Sequence, residues 1–365
     1  MTKKERFQAV REMREPDCMP VWPSVMSQMI YGHGLLLPDV LGSDSYDSDK
    51  ATEAVLASIK NIGYDVAIPT YTDCGFGLPP VGGTFTVPTQ FGVGVCGGGV
   101  KPVKTKDDWP KVQKMMAHYN VRTSDVRMKG ALEVIKNVSQ EVGDEIPLVA
   151  SSNGPVSTAL TLFRDTQAFL TDMAEDPEWV EEMVDLATDW AIDWIRAQYE
   201  AGANSVNFSG DCIGVEMVSP DMADRFNLPY LCRMVETIKK EFNQETWIHI
   251  HGNLKTPKTY QHLIKLAIQA GVEGFHFDER HPPEWVKEQV VEKLRRPACI
   301  ITHGDHIHKS SPEKIREDVK NQISKIGNGL GIMMAPSCQI LPATSNENFK
   351  AWVDATHEYG KYPLQ

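Results

Sequence analysis

No stretch of the 365-residue chain is apolar over the roughly 20 residues that a membrane-spanning helix needs, and the opening "MTKKERFQAVREMREPDCMP" has no apolar signal core. Both absences lead to the expectation of a soluble protein in a reducing, cytoplasmic setting. The seven cysteines, at 18, 74, 96, 212, 232, 299 and 338, fit it, because they form no even disulfide framework. No C-x-x-C occurs either, which removes zinc sites built on paired cysteines. Positive charge is scarce: a formal net charge of -12 argues against a nucleic-acid partner and against an anionic membrane surface. There is no Gly-x-Ser-x-Gly elbow and no phosphate-binding loop. The one G-x-G-x-x-G spacing, in "GVGVCGG" (92–98), leads into "GVKPVKTKDDWP", where a dinucleotide fold requires a helix, so it reads as a glycine-rich loop.

Hydrophobic residues at 41% and charged residues at 24% are ordinary globular values, and 365 residues suffice for one large core. Eight short β-rich runs stand at 18–23, 64–70, 146–152, 204–210, 247–252, 274–279, 299–304 and 331–337. Between them lie amphipathic segments such as "DSDKATEAVLASIKNIG", "DPEWVEEMVDLATDWAIDWIRAQYEAG", "LPYLCRMVETIKKEF" and "SPEKIREDVKNQISKIG". This alternation predicts a parallel (β/α)8 TIM barrel of class α/β. A hairpin or loop insertion is expected around 71–110, where Gly, Pro and Thr cluster. An open α/β sheet with a second domain is the alternative, but no linker or low-complexity tract divides the chain, and we take residues 1–365 as one domain.

A barrel carries its chemistry where strands end. The fifth run, "WIHIHGN" (247–253), puts His249 and His251 on one strand face, about 7 Å apart along the backbone. Cys338 follows the eighth run, and Asp278 and Glu279 end the sixth. Two imidazoles, a thiol and a carboxylate at one rim suit a catalytic zinc, which keeps a coordination position open. His249, His251 and Cys338 are the candidate ligands; Glu279 or Asp278 would be the fourth donor or would orient an imidazole. Buried packing is the competing reading for each alone. Asp211 stands at the end of the fourth run and Trp22 at that of the first, and His303 and Cys212 are reserves. His306 and His308 read as solvated loop, and "SSPEKIRED" as an N-cap leading into a helix.

Six segments, in order along the chain, resemble the uroporphyrinogen decarboxylase superfamily, especially its cobalamin-dependent methyltransferase branch. They are "RFQAVREMREPDCMPVWP", "SSNGPVSTALTL", "DPEWVEEMVDLATDWAIDWIRAQYEAGANSVNFSGD", "MVSPDMADRFNLPYLCRMVETIK", "IHIHGN" and "MAPSCQILPATSNENFKAW". The resemblance implies the (β/α)8 fold. The decarboxylases have an arginine-rich signature where this chain reads "PVWPSVMSQMIYG", so porphyrinogen decarboxylation is not expected. The methyltransferases bind zinc through His-x-Cys-Gly and a later Cys. Here His249 and Cys338 match, and His251 stands in place of the first Cys. By this resemblance the chain is expected to be a zinc-dependent methyltransferase acting on a small O-methyl compound, an aromatic methyl ether first. On that reading Asp211, or Glu279 if not a ligand, is the candidate catalytic group that orients substrate or metal-bound water, and Trp22, Met26, Met29 and Tyr31 supply an apolar substrate wall, with core packing as their alternative. The methyl acceptor would be a corrinoid on a separate corrinoid-binding protein. Methyl transfer to a thiol is the alternative, a metal-free lyase a third reading and a non-enzymatic binding barrel a fourth.

Overall fold

The structure, a computed structural model, describes residues 1–42, 44–72, 74–87, 99–211 and 217–364. Among the described residues, six parallel strands form one sheet in chain order: β1 Val149–Asn153, β2 Ser205–Asp211, β3 Thr246–Ile250, β4 Gly274–Phe277, β5 Ala298–Thr302 and β6 Ile332–Pro336. All six fall on the expected runs.

The first two expected strands are not ladders, yet they close the ring. Val21 bridges Met334 of β6, and Ala67 bridges Leu148 just before β1, both in parallel. Trp22 N–H donates to the Met334 carbonyl and Met334 N–H to that of Pro20, each at 2.9 Å. Asp65 and Val66 N–H share the Val21 carbonyl at 3.0 and 3.2 Å, and Ala67 N–H reaches the Pro147 carbonyl at 3.0 Å. β6, the 18–23 run, the 64–70 run and β1 are thus joined edge to edge, and eight segments complete a barrel. Proline explains why two of them stay single-bridged. Pro20, Pro23 and Pro69 have no N–H to give a ladder. The Val21 N–H is taken instead by the Asp65 carboxylate, at 2.8 Å.

The helices follow the sequence closely. Asp47 caps Ser48–Ile62 by accepting from Lys50 N–H, and Gly63, at φ 87°, ends it in the left-handed conformation that glycine adopts at least cost. Pro177–Glu200, Leu228–Phe242 and Pro312–Ser324 fill the other three predicted stretches. In 71–110, among the described residues, there is no strand; short 3-10 turns at Cys74–Gly77, Pro79–Val81 and Lys106–Asp108 take its place. Thr84 and Val100 pinch its neck, with Thr84 N–H donating to the Val100 carbonyl at 3.0 Å. The "GVGVCGG" loop lies outside the described residues, as does Cys212. His306 and His308, expected in a loop, instead lie on a short helix, Gly304–Lys309, which His303 caps by accepting the Asp305 N–H at Nδ1, 3.1 Å away.

The barrel interior is stacked in layers. Phe7, on the helix Lys3–Arg11, packs on Trp247 and Trp22 at the strands' N-terminal end, with ring centroids 6.0 and 6.5 Å away. Trp22 and Trp247 meet edge-on at 5.2 Å. Above them come His249 and His276, and above those the mouth.

Candidate metal centre

Alternation along β3 sends Trp247 and His249 into the barrel, and His251 continues the same face just past the strand end. β6 ends at Pro336, and its extension delivers Cys338 to the same rim. The Nε2 atoms of His249 and His251 face each other at 2.9 Å, and one ligand atom from each of His249, His251 and Cys338 lies within 4.8 Å of the other two. Donors held about 2.0–2.3 Å from one tetrahedral ion stand about 3.3–3.6 Å from each other, so a single zinc fits with only small side-chain shifts. His249 is buried, His251 partly exposed and Cys338 exposed, which makes the cluster a step between barrel core and open mouth.

Electrostatics favour a neutral donor imidazole at His249. Burial, then the neighbouring His276 and His251, push the His249 pKa well below the imidazole range, which favours the neutral ring that a metal requires. Nδ1 of His251 lies 3.9 Å from Oδ2 of Asp278, which places a carboxylate behind the ring and leaves Nε2 to face the cluster. Asp278 is buried and held from several sides. It accepts from Gly252 N–H at 2.8 Å, from Arg280 N–H at 3.1 Å and from Arg280 Nη1 at 2.7 Å. Burial alone would raise its pKa; His281 and the two backbone donors outweigh this and bring it down to about 2. His281 accepts Leu254 N–H at Nε2, so its proton is on Nδ1, 3.3 Å from Asp278 Oδ1.

The other candidates separate. Glu279 does not join the three-donor cluster; it faces His303 Nε2 at 3.8 Å on the rim. Because His303 Nδ1 accepts the Asp305 N–H, its ring proton is on Nε2, directed towards Glu279. The Asp211 backbone closes β2, but its side chain lies outside the described residues. Trp22 is buried in the barrel core and Met29 is buried on the helix Gln28–Gly32, while Met26 and Tyr31 are partly buried. His306 is well exposed beside Asp318. One residue escaped the sequence reading: His276, buried in β4, whose ring lies 4.4 Å from that of His249. The signal was present, since "GFHFDE" alternates Phe275 and Phe277 on one face against His276 and Asp278 on the other.

The sequence model described as Uroporphyrinogen decarboxylase (URO-D) matches residues 2–359. A methylcobamide:CoM methyltransferase of Methanosarcina acetivorans is 24% identical over 275 residues, 74% of this chain and 76% of that one. A uroporphyrinogen decarboxylase of Pseudoalteromonas translucida is 22% identical over 380 residues, 98% of this chain and 97% of that one. Among solved structures, a methyltransferase from Methanosarcina mazei superposes with a TM-score of 0.77 at 21% identity, covering 98% of this chain and 99% of that one. Those two relatives carry different activities, so similarity leaves the choice between them to the donor set.

Proposed function

The chain belongs to the uroporphyrinogen decarboxylase family, and on that premise we propose that it is a corrinoid-dependent methyltransferase that demethylates a small O-methyl compound, an aromatic methyl ether first. The observation that carries this reading is the convergence of His249, His251 and Cys338, with imidazole where the methyltransferase branch has a thiolate. These three would hold zinc, which when bound supplies a Lewis acid that polarises the ether oxygen. A neutral imidazole donates less charge than a thiolate, so this donor set favours Lewis acidity over activation of a thiol.

The remaining roles belong to the chain. Asp278 stands 3.9 Å behind the His251 ring as a carboxylate for its Nδ1 side, and burial favours the neutral form of His249. Met26 and Tyr31, both partly buried, supply the apolar wall of the substrate site; Trp22 and Met29 support it from the core. Once the methyl group has left its oxygen for the cobalt of a corrinoid on a partner protein, that oxygen needs a proton. His303, whose Nε2–H faces Glu279 at 3.8 Å, is assigned with that carboxylate to supplying one at the rim. Asp211 at the end of β2 is assigned to orienting substrate. A second reading, methyl transfer from the corrinoid to a thiol, draws support from the activity named for the Methanosarcina acetivorans relative.

Incubating the protein with a cobalt(I) corrinoid protein and a panel of aryl methyl ethers and thiols separates the two. Ether consumption with equimolar phenol release is expected, together with about one zinc per chain by elemental analysis. Methylation of a thiol with no ether consumed overturns the reading, and a zinc-free active enzyme overturns the metal's part in it.

A further inference from the structure

We propose that His276 is a positioning residue that ties the His249 side of the three-donor cluster to the Cys338 side. The inference rests on the metal reading above and concerns a residue that donates nothing to the ion itself. His276 on β4 is the register partner of His249 on β3, and their buried rings lie 4.4 Å apart between centroids. On its other side the ring stacks on Trp22, with centroids 6.3 Å apart and planes at 26°. Its Nε2–H donates to the carbonyl of Pro336 at 2.7 Å.

That acceptor gives the contact its meaning. Pro336 is the last residue of β6 and stands two positions before Cys338. β5 separates β4 from β6, so the His276 side chain reaches past a whole strand through the barrel interior. β3 and β6, which bring the imidazoles and the thiol to the mouth, are not neighbours in the sheet, and no backbone ladder sets the distance between them. The hydrogen bond from His276 sets it directly. Trp22 and His249 hold the ring plane, and the strong directionality of a buried N–H···O bond holds the β6 end. Ligands fixed by such outer contacts lose about 10–100-fold in metal affinity when the contact is removed.

Cobalt(II) is the probe, because its visible absorption reports donor geometry as well as occupancy. The apoprotein of the full chain is titrated against a chromophoric chelator, with folding of every variant checked by circular dichroism and thermal unfolding. His276→Leu is expected to bind about 10–100-fold more weakly and with a shifted absorption band. His276→Gln, whose amide can donate to the Pro336 carbonyl, is expected to restore affinity and band, and His276→Asn, too short to reach, to resemble Leu. A role confined to core packing would lower the unfolding temperature and leave the band in place. If His276→Leu does not fold, the contrast between Gln and Asn decides. Parent-like affinity and spectrum in the Leu and Asn variants overturn this inference alone; a parent chain that binds no cobalt overturns the metal reading and this inference together.

Discussion

Residue 251 is where a change of one donor atom, from sulfur to nitrogen, has the widest chemical consequence. An imidazole at that position would leave a bound metal more electron-poor, and its second nitrogen lies 3.9 Å from Asp278, a neighbour that a thiolate would not address. His251→Cys restores the two-thiolate pattern of the methyltransferase branch. We expect it to keep about one zinc per chain while losing ether demethylation by about 10-fold or more and gaining thiol methylation. Assaying both substrates on the same preparation, with zinc measured alongside, checks this; an unchanged ether rate would show that the donor at 251 does not set the reaction. His249, His251 and Cys338 were legible in the sequence because each obeys a local rule, same-face alternation for the pair and strand-end placement for the thiol. His276 was not, because its importance comes from register with β3 and from reach to Pro336, both set by long-range packing.

Strands of this barrel differ in what fixes them, and β4 rests on one close approach. Gly274 pairs with Trp247, and a Cβ placed on it would stand 2.2 Å from Trp247 Cδ2. The indole therefore lies directly over the glycine backbone, and through it the Trp22 and His276 rings above find their places. Gly274→Ala is expected to destabilise the fold by about 1–3 kcal/mol, as overpacked cores do, and to shift tryptophan fluorescence. Urea unfolding followed by fluorescence tests it, and parent-like values for both would mean that the indole has room to move. Such close approaches are invisible to periodicity, which sees Gly274 only as a run boundary. Helices such as Ser48–Ile62 were readable to the residue because cap and amphipathic stripe are both local. The runs at 18–23 and 64–70 were recognisable as barrel staves, but not as single-bridged ones. The carboxylate that takes the Val21 N–H comes from Asp65, 44 residues away.

Across the whole molecule, that carboxylate does more than replace a ladder bond. Asp65 is fully buried. It receives Val21 N–H at the barrel seam, pairs with Arg6 of the first helix and lies 2.6 Å from Nε2 of His357 on the helix Asn346–Tyr359. One side chain thus joins the closing seam to helices from both ends of the chain. Burial pushes its pKa up, but the His357 hydrogen bond, the His357 and Arg6 charges and the Val21 N–H outweigh burial and leave it below the ordinary value of 3.8. A carboxylate depressed in the folded state adds stability that is complete above its unfolded pKa and is lost as pH falls through the folded one. The seam is therefore firm at neutral pH and weakens as pH drops below about 4. Asp65→Asn removes the charge; Arg6 keeps Asp17, at 2.8 and 2.9 Å, while His357 loses its carboxylate, a loss of about 1–3 kcal/mol. Because the variant has no carboxylate to protonate at this position, its stability should fall less between neutral pH and about pH 3 than that of the parent. Urea midpoints for both proteins at the two pH values measure the difference. Parallel pH profiles would mean that the ring is closed by its backbone bridges alone, with Asp65 a passenger in the seam.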